Sequence, residues 1–228
     1  MSDRLWPRIG AACGLAYFIL AFVGNAIATG GSSADESSSG AAILRDLQTH
    51  HGAAFHVGTA MEVLAFLALL SFVAYLAAVL RRAEGEDGWL WLTALGGGLL
   101  TIAIKLSSAA FLLAAVWRVD ELDATTARTL SDVNGFAFFI SFATLAMLVG
   151  PAALVALRTG LLPRWLAIAG IVLAVAQLAT MAIGLTGAVL PPFVLSAIWL
   201  ALVSAVLTRR TGAPRPMPAP SPTATARA

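Results

Sequence analysis

The chain has 228 residues, of which 59% are hydrophobic and only 11% charged, with a formal net charge of +2 and a mean hydropathy of +0.87. A soluble domain carries about 25% charged residues, so this composition excludes a water-soluble fold and leaves lipid as the solvent for much of the surface. The small positive charge does not mark a nucleic-acid binder, because the arginines recur in small groups between apolar runs and form no single patch.

Crossing ~30 Å of hydrocarbon takes about 20 helical residues at ~1.5 Å each, and the apolar runs meet that length in turn. Ile9–Thr29 is the first predicted span, and Gly10-x-x-x-Gly14 gives it a small-residue face suited to helix packing. Ala26-Ile27-Ala28 also resembles a signal-peptidase site, but the apolar run exceeds the 7–15 residues of a usual leader; retention of this helix and cleavage after Ala28 both stay open. The Gly/Ser-rich stretch Gly30–Gly40 reads as a loop. Ala41–His51 has helical spacing of Ile43, Leu44 and Leu47, and is predicted to lie on the outer surface or to extend the second span outward. Phe55–Leu80, Trp89–Trp117, Val133–Leu157, Trp165–Gly187 and the shorter Pro191–Thr208 complete six spans. Backbone polar groups in lipid must be satisfied within the segment, and no alternating pattern points to strands, so the fold class is all-α, a polytopic helical bundle over residues 1–210. Pro7, Pro163 and Pro191–Pro192 stand at helix starts, Gly150–Pro151 predicts a kink late in the fourth span, and Asp123 and Asp132 are candidate N-caps. Residues 211–228, rich in Pro, Ala, Ser and Thr, read as a disordered cytoplasmic tail.

The arginines orient the bundle. Arg4 and Arg8 precede the first span, Arg81 and Arg82 follow the second, Arg158 and Arg164 separate the fourth and fifth, and Arg209, Arg210, Arg215 and Arg227 follow the sixth. They outnumber Arg45, Arg118 and Arg128 on the other side, so the positive-inside rule places both ends in the cytoplasm. Trp6, Trp89, Trp91, Trp117 and Trp165 fall at the expected interfaces, where amphipathic rings settle.

Glu62 and Lys105 are the ionisable side chains well inside predicted spans. A charge at the helix centre costs roughly 2.5–3.5 kcal/mol on insertion scales, so each needs a partner or a path to water. The second and third spans form a hairpin, and from its turn the two residues rise about 28 and 26 Å, nearly the same level. This spacing predicts an ion pair or a shared hydrogen-bond site, acting as structural glue, a proton or ion relay, or a head-group site. His50, His51 and His56 lie at the outer mouth of the second span. Their spacing is wrong for an i, i+4 metal pair, and no haem pair across the leaflets is available; His51 shares a helical face with Glu62, so His51 and His56 are weak candidates for an outer polar path. Asn25, Ser107, Ser108, Asn134, Gln177 and Thr180 read as interhelical hydrogen bonders. The single cysteine, Cys13, lies inside an apolar run and has no internal partner.

The layout across residues 5–208, together with Glu62, Lys105 and Leu162-Pro163-Arg164-Trp165-Leu166, resembles an uncharacterised bacterial family of six-helix membrane proteins known only as a domain of unknown function. That family more often has Arg where this chain has Lys105. The resemblance implies a bacterial plasma (inner) membrane location and brings no activity, substrate or cofactor.

With no complete catalytic, metal-binding or nucleotide signature, no cofactor is expected and the reading leans away from an enzyme. The sparse polar positions favour a non-enzymatic scaffold or accessory subunit embedded in the bilayer. The alternatives are a small transporter or ion or proton pathway using Glu62 and Lys105, and an intramembrane enzyme acting on lipid or quinone. A protein partner or homo-oligomer stays open.

Overall fold

The computed structural model describes residues 5–30, 38–50, 52–85, 87–183 and 190–212. The predicted tail from 213 onward, His51, and the last residues of the fifth predicted span lie outside them. Within them the regular elements are helices: α1 (Leu5–Ala28), α2 (Gly40–His50), α3 (Ala53–Glu84), α4 (Leu90–Trp117), α5 (Ala124–Thr159), α6 (Arg164–Ile183) and α7 (Leu190–Gly212). Six of these, all but α2, are long and apolar enough to cross a membrane, and the chain is an all-α, multi-pass membrane protein. The spanning helices need no narrow apolar stripe, because lipid outside and helix inside are both apolar. Only α2 is clearly amphipathic, as expected of a helix lying across one end of the bundle.

The crossings alternate, so Leu5 and Gly212 lie at the same end, called here the terminal end, together with the α3–α4 and α5–α6 turns. The far end carries α2 and the α4–α5 turn. At the terminal end the bundle is closed by a dense core of Leu69, Phe72, Val73 and Leu76 from α3, Leu145, Leu148 and Val149 from α5, and Leu200 and Val203 from α7. Helix α1 packs mainly on α3, and α4 on α5. These pairs meet through α3 and α4, which touch at the turn, where the Glu84 carboxylate accepts from the backbone N–H groups of Leu90 and Trp91 at 3.1 and 3.0 Å, and where Gly98 lies against Val73. The Glu84 carboxylate thus caps the α4 N-terminus, satisfying two of its orphan donors.

Hydroxyls and one indole tie the remaining helices. The Ser204 hydroxyl of α7 donates to the Ala11 carbonyl and accepts from the Leu15 N–H at 2.9 Å. These are the two groups that an α-helix pairs with each other, so the hydroxyl bridges one rung of the α1 ladder. Gly14 makes room for it: a Cβ there would stand 2.8 Å from the Ser204 Cβ. The Trp199 indole N–H donates to the Leu166 carbonyl at 2.7 Å, joining α7 to α6, and Thr101 donates to Thr144 at 2.8 Å between α4 and α5.

Several boundaries differ from the predicted ones. Helix α3 runs to Glu84, and α5 starts at Ala124, nine residues before Val133. The reason is local: Asp123 caps the helix by accepting the Thr126 N–H at 2.7 Å. Asp132, the other candidate cap, instead lies within α5 and pairs with Arg128 at 2.9 Å. The α2 helix does not extend the second span, because Gly52 interrupts the chain and serves as the N-cap of α3. It packs on α5 through buried Ile43, and Arg128 donates to the Ser38 carbonyl just before α2. Helix α5 continues through Pro151, and α7 extends to Gly212, two residues into the predicted tail.

Candidate functional site

Beyond the Gly98–Val73 contact, toward the far end, a cavity of about 310 Å³ lies between residues of α3 and α4 and their neighbours. Five helices line it. Its polar side chains are Tyr17 and Asn25 of α1, Thr59 and Glu62 of α3, Lys105 and Ser108 of α4, and Asn134 of α5, with Thr29 just past α1. Its apolar wall is rich in phenyl rings: Phe22, Phe55, Phe66, Phe138 and Phe193. The volume is at the lower end of the range of small-molecule pockets, ~300–1,000 Å³.

Each charged group is positioned by a neighbouring helix. Glu62 faces α1, where Asn25 Nδ2 donates to Glu62 Oε1 at 3.1 Å. That approach is made by glycines: Gly24 and Gly58 bring the two backbones so close that a Cβ on Gly24 would lie 2.8 Å from the Gly58 carbonyl oxygen. Such small-residue crossings are the usual way for membrane helices to reach backbone contact. Lys105 faces α5 and α7. Its Nζ lies 3.4 Å from the ring centroid of Phe138 and 5.2 Å from that of Phe193, both within cation–π range. The two rings form a corner, with centroids 5.0 Å apart and planes at 65°. The Lys105 backbone carbonyl accepts from the Ser108 hydroxyl at 3.0 Å, which keeps that hydroxyl on its own helix.

The direct Glu62–Lys105 ion pair expected from the sequence is not formed. The two side chains line the same cavity without an ion pair between them, whereas ion pairs do form at Arg118–Glu121 and Arg128–Asp132. The levels inferred from helical rise agree with a shared cavity; the azimuths do not produce contact. Carboxylate and ammonium have taken partners on other helices, an amide and an aromatic corner.

His56 is exposed, lies against the Phe55 ring and is not part of the cavity lining. His51 falls outside the described residues. Among those residues no group of three His, Cys, Asp or Glu side chains is placed to hold a metal ion. Asn25 acts as an interhelical donor, as does Gln177, whose amide reaches Ser196 of α7 at 2.7 Å. Thr180 instead turns back to carbonyls of its own helix.

Sequence reasoning missed Tyr17, Thr59 and the Phe138–Phe193 corner. Thr59 had a signal, since it precedes Glu62 by one turn on the same face, and Tyr17 places a polar tip in the middle of a span. The two phenylalanines had none: an aromatic ring facing a cation and one facing lipid look alike in a string of apolar residues. No protein-family model, curated protein or solved structure matches the chain.

Proposed function

We propose that this chain binds a small amphiphilic molecule in the five-helix cavity, as the substrate site of a small transporter in a bacterial plasma membrane. One observation carries the reading: an acidic and a basic side chain, each costly in lipid when charged, face one cavity without forming an ion pair. A purely structural pair would be expected to close on itself, because contact is what offsets the desolvation of both groups. The cavity lies toward the far end of the bundle and is backed on the terminal side by packed core, which suits a site reached from one side of a membrane. The expectation of a passive scaffold rested on sparse polar lining, and here eight polar side chains meet in one place.

The location and orientation belong to the same proposal. The arginine-rich terminal end is the cytoplasmic one by the positive-inside rule, which puts the cavity in the outer half of the bilayer. The resemblance to the bacterial six-helix family supports the plasma membrane.

The test is thermal unfolding of the full chain in detergent against a panel of cationic, anionic and neutral amphiphiles. At least one class should raise the unfolding temperature of the native protein. The same compound should do nothing for Thr59→Trp, whose indole fills the cavity. If no class stabilises the native chain, the cavity is not a ligand site. A compound that does stabilise it should then cross proteoliposomes carrying the native chain, and fail to cross those carrying folded Glu62→Gln.

A further inference from the structure

We propose that Lys105 is a tethered cation that occupies the binding place of a small organic cation, and that such a ligand binds by displacing it. The inference rests on the reading of the cavity as a ligand site and names the ligand's class.

The cavity is built for positive charge. Ring faces carry the negative part of the aromatic quadrupole, and cages of such faces take ammonium groups. Here Phe138 and Phe193 form the corner, further rings complete the apolar wall, and Glu62 adds a carboxyl group, the one acidic side chain in the lining. Lys105 is the one basic side chain in the lining, and its head group already lies on the corner, 3.4 Å from the Phe138 centroid. An anionic amphiphile would have to pull that ammonium from the rings and then face both the rings and the carboxylate. A cationic one meets only the resident lysine as an obstacle.

That obstacle is movable. Lysine is a compact charge on a flexible four-carbon stem, so the head can leave the corner without any shift of α4. Glu62, which lines the same cavity, and the cavity mouth are both available to it. A quaternary ammonium suits the vacated corner better than a primary one, since it asks for no hydrogen bonds and the rings offer none. The ligand's apolar part then lies along Phe22, Phe55 and Phe66. Lys105 would act as an internal competitor: it keeps the corner filled when no ligand is present, and sets a threshold that weak cations do not pass.

The probe is benzyltrimethylammonium, one quaternary centre on one ring, with decanoate as the anionic counterpart. Binding to the full chain in detergent micelles is followed by calorimetry. Lys105→Met keeps the stem and removes the charge, and should bind the cation about thirtyfold more tightly, the worth of one desolvated cation–π contact. Adding Phe138→Leu to that variant should take the gain back. A readout without any mutation comes from Lys105 being the only lysine in the chain. Reductive methylation with ¹³C formaldehyde gives that side chain one dimethylammonium signal. Ring current from Phe138 should shift it upfield in the free protein, and benzyltrimethylammonium should return it to the ordinary position. This measurement decides the matter if Lys105→Met does not fold. Cation binding that is unchanged or weakened in Lys105→Met, or a methyl signal that stays upfield at saturation, would overturn the displacement and leave the ligand site standing. Decanoate binding that disappears in Lys105→Met would overturn it in favour of an anion site. If neither probe binds and no amphiphile of any class stabilises the native chain, this inference falls together with the reading beneath it.

Discussion

A single amide decides how Glu62 is held. Asn25 donates to one carboxylate oxygen from the neighbouring helix, and hydrogen bonds to charged groups contribute about 1.5–3 kcal/mol. Asn25→Ala should therefore lower the stability of the detergent-solubilised protein by roughly 1.5 kcal/mol, the low end of that range. Asn25→Asp should be worse, because it sets a second carboxylate beside the first, and like charges at that distance cannot both stay ionised. Thermal unfolding of the two variants side by side checks the order. An aspartate variant at least as stable as the alanine one would show that the amide does not hold the carboxylate. The Thr101–Thr144 bond makes a useful contrast. It joins two neutral hydroxyls, each of which also lies within hydrogen-bond distance of a carbonyl of its own helix, so the single Thr101 proton is shared between Thr144 and Gly97. Its loss in Thr144→Ala should cost only about 0.6 kcal/mol, the average for interhelical hydrogen bonds in a membrane protein.

At the scale of elements, two helices owe their placement to their ends and crossings more than to their apolar character. Helix α5 begins where Asp123 caps it. The Thr126 backbone N–H bound to that carboxylate holds its pKa below the ordinary aspartate range. A carboxyl whose pKa is lowered on folding stabilises the fold while ionised, and that contribution is lost as pH falls through the folded value. Asp123→Asn should thus cost little at neutral pH, since asparagine caps as well as aspartate. It should also flatten the acid side of the stability profile, whereas Asp123→Ala should lower the unfolding temperature at neutral pH as well. Equal loss in both variants would mean that the side chain's charge, and not its cap, matters. The crossing of α1 on α3 is tighter still. A Cβ on Gly58 would meet the Gly24 carbonyl oxygen at 2.5 Å, so Gly58→Ala forces the helices apart, at a cost of about 1–3 kcal/mol. It should also separate Asn25 from Glu62, so Asn25→Ala should add little in the Gly58→Ala background. Full additivity in a double-mutant cycle would show that the crossing and the amide bond are independent.

For the whole molecule, the six spans were legible because hydrocarbon thickness imposes a length on every crossing helix. Their partners were not. Helical rise fixes how far along the bundle Glu62 and Lys105 lie, and that much placed them in one cavity. Which way each side chain points depends on where neighbouring backbones can approach. Gly24, Gly58 and Gly98 decide that only once they have met their partners. Hence the hairpin of adjacent spans suggested a pair, while the packed bundle gives Glu62 to α1 and Lys105 to α5 and α7. The start of α5 was hidden for another reason. Its first nine residues, Ala124 to Asp132, are mostly polar, and a helix projecting past the apolar layer carries no hydropathy signal there. The orientation has its own check in intact cells, with Cys13 replaced by alanine. An impermeant maleimide should modify Glu121→Cys at the far end and spare Asp87→Cys in the α3–α4 turn. Labelling of Asp87→Cys would invert the proposed topology.

The Ser204 hydroxyl also sets an order of events during synthesis. When α1 first enters the bilayer, its Leu15 N–H and Ala11 carbonyl have only each other, since no free backbone group is tolerated in hydrocarbon. The hydroxyl that later bonds both lies 189 residues downstream of Leu15, so the nascent helix must first complete its own rung. Docking of α7 then adds two hydrogen bonds to that rung, a step open only to a chain translated as far as Ser204. A ribosome-bound intermediate stalled before Ser204 would hold α1 with that rung unbridged.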